Sequence, residues 1–496
     1  MKRFFAIPFL VFAVIVSAPT APPAPLMAAR TRLTLGDVDR MTTVVWSRDG
    51  GLAVSPTWGV PPTYTLIDSA GNKTTLPRAV LPFWEDQSDQ AYYGGVTIPQ
   101  ALSPGQYMLD AGRGPELAIT VLPAVARKPV TIPAGTSAAK IQQLVGIYND
   151  LTFAPGRYDL DRLIRLPANC RLWGHHAVIH PLVGSLGVNN AVFEVDYEGV
   201  SLYGFEFVYD QPGQAIAGLN QPGMVLKDCT FRRCNLGFYM VDALVSDCDF
   251  HSAGAVQAPT GLWLRNTFHG PATQQAWSGW SGLGRYAMVD NVFEGCDRGP
   301  CFNTVGGPIT DGLWISTRLR NIDTVGGGNE MFAFEGPGPF SRHLFLHTRC
   351  TGCTGAIFQW GGNADGTAQN NLVNDLEADG IGILFWGANV TNNTVSNFRL
   401  HGGAGIYCGP ADPAKPTGVQ ANNAFVDGSV NGWYPNRGSA SFQNPSPVML
   451  GRTVAAWAGG ASAATNTLQR VSVATAPGSF ATVAGFTTLT SAPAKR

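Results

Sequence analysis

The sequence predicts an all-β chain, a right-handed parallel β-helix with a small N-terminal β-sandwich. Three observations point there. Charged residues make up 14% of the chain against a typical ~25%, while 59 glycines and 35 prolines signal many turns. A short motif ending in a large apolar residue recurs at a fixed spacing, as stacked units require. Within each motif the residues alternate with the period of a strand, and no helical periodicity competes.

At the N-terminus, Lys2 and Arg3 precede an apolar run from Phe4 to Val16 and then small residues ending at Ala18 or Ala29, the pattern of an export signal. The run is too short to span a bilayer comfortably, and the Pro-rich stretch Ala18 to Pro25 suits a processed spacer. Residues 1–29 are therefore read as signal peptide and spacer. The mature protein is expected to be secreted, periplasmic or at the cell surface, a monomer without membrane contact once the signal is removed. A net charge of -1 gives no reason to expect nucleic acid as a partner.

Nine cysteines leave at least one thiol unpaired within a monomer. Cys350 and Cys353 have the CxxC spacing of a redox or metal pair. No second CxxC and no suitably spaced histidine pair completes a zinc site, so buried, inert thiols are favoured and no metal ligands are assigned.

From residue 30 to 124, short β-like runs alternate with turn residues: Thr42 to Trp46, Tyr64 to Asp68, Gly105 to Ala111 and Leu117 to Leu122. Such runs argue for a small β-sandwich. The segment Ser103-Pro104-Gly105-Gln106-Tyr107 resembles the turn before a late strand of immunoglobulin-like modules.

A second organisation covers residues 130–432. Ser137 can cap a short helix through Val145 that covers the open end of a core. There follow Pro155-Gly156-Arg157-Tyr158 and the run Leu163 to Gly174. This order of capping helix, "PxGxY" turn and strand ending in "LxG" is similar to the start of the pectate lyase-like β-helix superfamily. The resemblance spans about 45 residues here and, through the repeats, about 300 in all.

The repeats align Lys227 to Phe231, Ser246 to Phe250, Leu264 to Phe268 and Val289 to Phe293. The frame begins earlier at Tyr203 to Phe207 and continues through Leu319, Cys350, Leu376 and Phe398. These nine anchors span 191 residues, a repeat of about 24, which is one coil of a parallel β-helix. The anchor column faces the core, because alternate residues point to opposite faces of a strand. Two places earlier stand Cys229, Cys248, Asn266, Asn291, Thr317, Thr348, Asn374 and Ser396, a column suited to a ladder of side-chain hydrogen bonds. A second strand column aligns Phe334, Trp360 and Trp386 at a spacing of 26 residues, either an exposed platform for sugar rings or an interior stack. Beyond Gly432 the repeat fades, and residues 433–496 are read as a C-terminal cap or tail.

Charge concentrates on the outward positions of the repeat. Three places before the anchor stand Asp228, Asp247, Arg265, Asp290, Ser316 and His347; one place after it stand Arg232, His251, His269, Glu294, Arg320, Thr351, Glu377 and Arg399. Coils lie ~4.8 Å apart, so Asp247, Arg265 and Asp290 can touch in succession, as can His269, Glu294 and Arg320. One reading is a surface ladder of ion pairs. The other is a groove for an extended polysaccharide. Hydrolysis wants two carboxyls ~5–5.5 or ~6.5–9.5 Å apart, whereas β-elimination from a uronate needs a base and a cation that stabilises the developing charge.

Two spots concentrate such groups. The catalytic candidates are Glu294, Asp290, Arg320, His269, Asp297 and Arg298, with Glu294 the best single acid or base. The substrate-binding candidates are Glu330, Glu335, Gln359, Trp360 and Trp386. Calcium is the cofactor to look for if the chemistry is elimination. The chain lacks the "WIDH" and "RxPxxR" motifs of pectate lyases, the "NTDG", "DD", "GHG" and "RIK" set of polygalacturonases and the "DPH" triplet of alginate epimerases. The resemblance thus implies a glycan context without one activity. The expectation is a secreted protein that cleaves a polysaccharide, as a glycoside hydrolase or polysaccharide lyase, with a non-catalytic glycan-binding or cell-surface protein as the rival.

Overall fold

The computed structural model describes residues 26–48, 63–76, 86–88, 91–112, 115–182, 191–195, 197–251, 256–257, 260–270, 277–280, 284–296, 299–303, 308–322, 330–335, 339–353, 356–360, 367–379, 382–386, 389–401, 405–409, 420–431, 456–457 and 467–474. Of residues 1–29, read as signal peptide and spacer, residues 1–25 lie outside them, while Met27–Ala28 form a strand of the N-terminal part. Among the described residues, no helix is long and apolar enough to cross a membrane.

The solenoid begins where the PxGxY turn closes. Gly156 has φ +137°, and a Cβ there would stand 2.7 Å from the Ala134 Cβ, so no other residue fits without a shift. The Tyr158 hydroxyl is shared between the Ile132 and Ala154 carbonyls at 2.9 and 2.8 Å, pinning the turn to the first rung. The helix Ala138–Val145 starts at Ser137, whose side chain accepts from the Lys140 amide, and buries Ala138, Ile141 and Val145 over the open end of the core.

From there the strands pair in parallel, rung on rung, into a 26-stranded and an 8-stranded sheet. Each coil offers three faces. The first is formed by strands such as Gly261–Leu264 and Gly284–Val289, the second by Thr267–His269 and Val292–Glu294, and the third by Trp277–Trp280 and Cys301–Asn303. Between the first two faces the chain bends at one residue per coil. That residue is Asp228, Asp247, Arg265, Asp290, Ser316, His347, Asp375, Asn397 or Asp427, each with φ between 50 and 57°. The predominance of Asp and Asn follows from their tolerance of the left-handed region. The column read from the sequence as an outer strand position is therefore the corner between two faces.

The anchor column is buried as expected. Phe207, Phe231, Phe250, Phe268 and Phe293 stack with ring centroids 4.6 to 5.0 Å apart and interplanar angles of 4 to 6°. Leu319 pairs with Cys350 as aligned, and below Cys350 the register departs from the sequence alignment. Cys350 pairs with Ala378, and Ala378 with Leu400, so Leu376 and Phe398 continue the column of Thr348 instead. The slip is two residues, which keeps every side chain on its face and so leaves no trace in the alternation.

Part of the predicted ladder forms. The Asn291 Oδ1 accepts from the Asn266 backbone and side-chain amides at 2.9 and 3.0 Å, and the Asn266 Oδ1 accepts from the Cys248 amide. A second ladder, His343, Asn371, Asn393 and Asn423, stands at the other edge of the first face and was not foreseen. Cys350 and Cys353 form a disulfide instead of remaining thiols. Cys170, Cys229, Cys234 and Cys248 are buried thiols, and burial pushes Cys170 up to about 12. Past Gly432, Thr467–Ala474 pairs in parallel with Ala424–Asn431, adding a rung to the solenoid.

The N-terminal part holds two sheets. One pairs Met27–Ala28, Thr42–Arg48, Ala91–Thr97 and Asp86–Ser88; the other pairs Arg32–Thr34, Leu117–Leu122, Gly105–Asp110, Thr65–Ile67 and Lys73–Thr75. They share a core that includes Leu33, Val45, Leu66, Val96 and Ile119. The Tyr107 hydroxyl donates to the Ser103 carbonyl at 2.8 Å, tying down the turn that the sequence had singled out. The other side of the first sheet packs Met27, Val44, Trp46 and Tyr93 into one apolar cluster with Val225, Leu244, Leu262, Leu264 and Ala287 of the solenoid's first face. That covering removes the first face from those left for a ligand.

Candidate active site on the second face

With the first face covered, the second carries the charged outer columns. One runs Glu206, Thr230, Asp249, Thr267, Val292, Arg318, Arg349, Glu377 and Arg399; the other runs Val208, Arg232, His251, His269, Glu294, Arg320 and Thr351. Glu377 and Arg399, aligned by sequence with the second column, belong to the first, a consequence of the register slip.

Most of these charges are consumed by one another. Arg232 meets Glu206 at 2.6 Å, and Arg265 grips Asp247 through two hydrogen bonds of 2.6 and 2.7 Å. Asp290 sits at the corner and pairs with Arg318 at 2.6 Å, so it does not join Asp247 and Arg265 in the expected succession. His347 and Arg349 both hold Asp375, and their hydrogen bonds keep its carboxyl down at about 2.

Glu294 and Arg320 are among the exceptions, as is Arg399 farther along. Glu294 lies between His269 and Arg320 in register, as the frame requires, half-buried beside an exposed Arg320, and neither makes an ion pair among the described residues. His269 turns away from Glu294. Its Nε2 stands 2.9 Å from Asp249 Oδ1, while His251 Nε2 is 2.7 Å from Asp249 Oδ2, and the two imidazoles stack at 4.5 Å.

Asp249 was missed by the sequence reading. Its signal was Asp249-Phe250-His251: with Phe250 an inward anchor, the residues on either side share the outer face.

Asp297 and Arg298 lie outside the described residues. Glu330, Glu335, Gln359 and Trp360 fall on strands Glu330–Glu335 and Ala356–Trp360 of the third face, away from Glu294. Phe334 pairs with Trp360 as expected, but Trp360 pairs with Phe385, leaving Trp386 one residue out of that column. Phe302, Phe334, Trp360 and Phe385 therefore stand in register on four successive rungs, with Phe385 in the place expected for Trp386, because the coil between Trp360 and Phe385 is one residue shorter than the spacing assumed.

No family model matches the sequence, and no curated protein does. Solved structures share the fold at low identity. The mannuronan C-5 epimerase A-module of Azotobacter vinelandii is 10% identical with a TM-score of 0.42, covering 64% of this chain and 96% of that one. The family 28 exopolygalacturonase of Yersinia enterocolitica is 11% identical with a TM-score of 0.34, covering 91% and 99%. PfbA, a surface adhesin of Streptococcus pneumoniae, is 8% identical with a TM-score of 0.29, covering 60% and 85%. On its own parallel, three-faced coils, the chain is a right-handed parallel β-helix protein.

Proposed function

We propose that the protein is exported and cleaves an acidic polysaccharide laid along the second face, by β-elimination rather than hydrolysis. The observation that carries this reading is Glu294: an outer-face carboxylate flanked in register by His269 and Arg320 and neutralised by neither. A base beside a cation is what abstraction of a proton next to a uronate carboxylate needs, the arginine stabilising the charge that develops. Hydrolysis fits less well. The other carboxylate of the cluster, Asp249, is two coils away, ~9.6 Å of rung separation, at the far edge of the ~6.5–9.5 Å range for a pair of carboxyls acting on one bond, and it is engaged by His251 and His269.

The rival reading, a face that binds glycan without cleaving it, draws support from the paired charges at Asp247, Asp290 and Asp375. A panel of neutral and uronate-containing polysaccharides separates them when absorbance of unsaturated products and reducing ends are followed together. Elimination raises both signals on uronate polymers. Reducing ends without absorbance mean hydrolysis, and retention of the polymer with neither signal means binding alone.

A further inference from the structure

We propose that Asp249, His251 and His269 form a three-ligand site for a divalent transition metal of the zinc class, open to solvent on the second face. One ligand atom from each lies within 4.8 Å of the other two. The three side chains are 31 to 39% exposed, so an ion reaches them from solvent. At metal–ligand bonds of ~2.0–2.2 Å, atoms bound to one ion stand about 3.3 Å apart. The two histidine nitrogens already stand 2.7 and 2.9 Å from the Asp249 oxygens, so small side-chain rotations suffice.

A second observation separates this from ordinary hydrogen bonding. Asp249 Oδ1 is buried and has no hydrogen-bond partner, although His269 Nε2 is 2.9 Å away: the approach is off the hydrogen-bond direction. Two stacked imidazoles therefore aim the same nitrogen at one carboxylate, and only one of the contacts, His251 to Asp249, is a hydrogen bond. The local charge also suits a dication. With neutral histidines, Asp249 and the in-register Glu294 carry two negative charges; Arg232, next to His251, is already held by Glu206, and Arg320 stands on the far side of Glu294, three rungs from Asp249.

Imidazole and carboxylate together select zinc-like ions over calcium and magnesium, which take oxygen ligands. Three protein ligands leave positions open, as in sites that act on a bound molecule rather than brace the fold. Sequence spacing could not show the site, because the ligands come from two coils, His251 and His269 being paired across adjacent rungs.

The inference stands apart from the glycan reading, since its readout is metal affinity. The full chain, untagged and stripped with a chelator, is titrated with Zn2+ by calorimetry and with Co2+ by visible absorption. One equivalent should bind at pH 7.5, with cobalt bands of a nitrogen-ligated site, and calcium should not compete. His251→Gln and His269→Gln should each weaken binding at least ~100-fold, more than loss of an outer-shell partner does. His401→Gln, on a distant coil, should leave it unchanged. Melting of the stripped variants shows that they fold. Wild-type affinity in both cluster variants, equal competition by calcium, or no binding by the folded wild type would each overturn the site.

Discussion

Glu294 and His343 show how neighbours set what a side chain can do. Glu294→Gln keeps the shape and removes the ionisable proton. If Glu294 is the base, turnover on a cleaved uronate polymer should fall on the order of 10² or more with the melting curve unchanged. If it is one rung of a charge ladder, stability shifts by only a few tenths of a kcal/mol and turnover stays. His343 lies fully inside, stacked on Phe340 at 3.7 Å, where desolvation pushes its imidazole well below the usual range against the opposing effect of its hydrogen bond to the Asn371 Oδ1. The folded chain thus keeps it neutral while the unfolded chain protonates it below about 6.5. Its stabilisation is present above that value and is lost as pH falls through the acid range. His343→Asn, which continues the ladder without a titrating group, should show a smaller drop in melting temperature between pH 7.5 and 5.5 than the wild type. An equal drop would contradict the assignment.

At the scale of the element, the coil repeat is held by its anchor stack. Phe268 lies between Phe250 and Phe293 with centroids 4.9 and 4.6 Å away. Phe268→Ala should cost ~3–5 kcal/mol in a denaturant titration, because neighbours fixed by their own rungs cannot fill the cavity. A change below ~1 kcal/mol would mean that the stack is not buried as described. These rungs were legible because Phe recurs every coil; the slip from Cys350 to Ala378 and Leu400 was not. There the anchors shrink, and a shift of two residues conserves both the alternation and the apolar pattern. The aromatic column of the third face was misread at one member for a related reason: a coil shortened by one residue put Phe385 in place of Trp386, and coil length is set by turns that period counting cannot see.

The whole molecule depends on the sandwich lying against the first face. Besides the apolar cluster, Asp242 at a corner of the solenoid accepts from the Thr31 amide at 3.0 Å, and the buried Arg30 donates to the Asp242 carbonyl. Asp39 and Lys227 add a pair at 3.0 Å. Asp242→Ala leaves the Thr31 amide without its acceptor and should destabilise the chain by ~1–3 kcal/mol. Asp242→Asn, which still accepts and tolerates the positive φ, should stay near wild type. Equal losses in both variants would show that the charge, and not the acceptor, holds the joint.

What the sequence alone determined is the solenoid: alternation chooses the inner face, and recurrence of the same side chain chooses the rung, both local properties of the chain. Glu294 between His269 and Arg320 followed from that frame because adjacent repeats are adjacent in space. Only the tertiary structure decided which face stays open, since the covering sheet comes from residues nearly two hundred positions earlier and nothing in the repeat marks its partner. It also decided which charges remain available. Asp290 is spent on Arg318, and His269 turns to Asp249, choices set by side-chain geometry at a corner and between coils rather than by residue type.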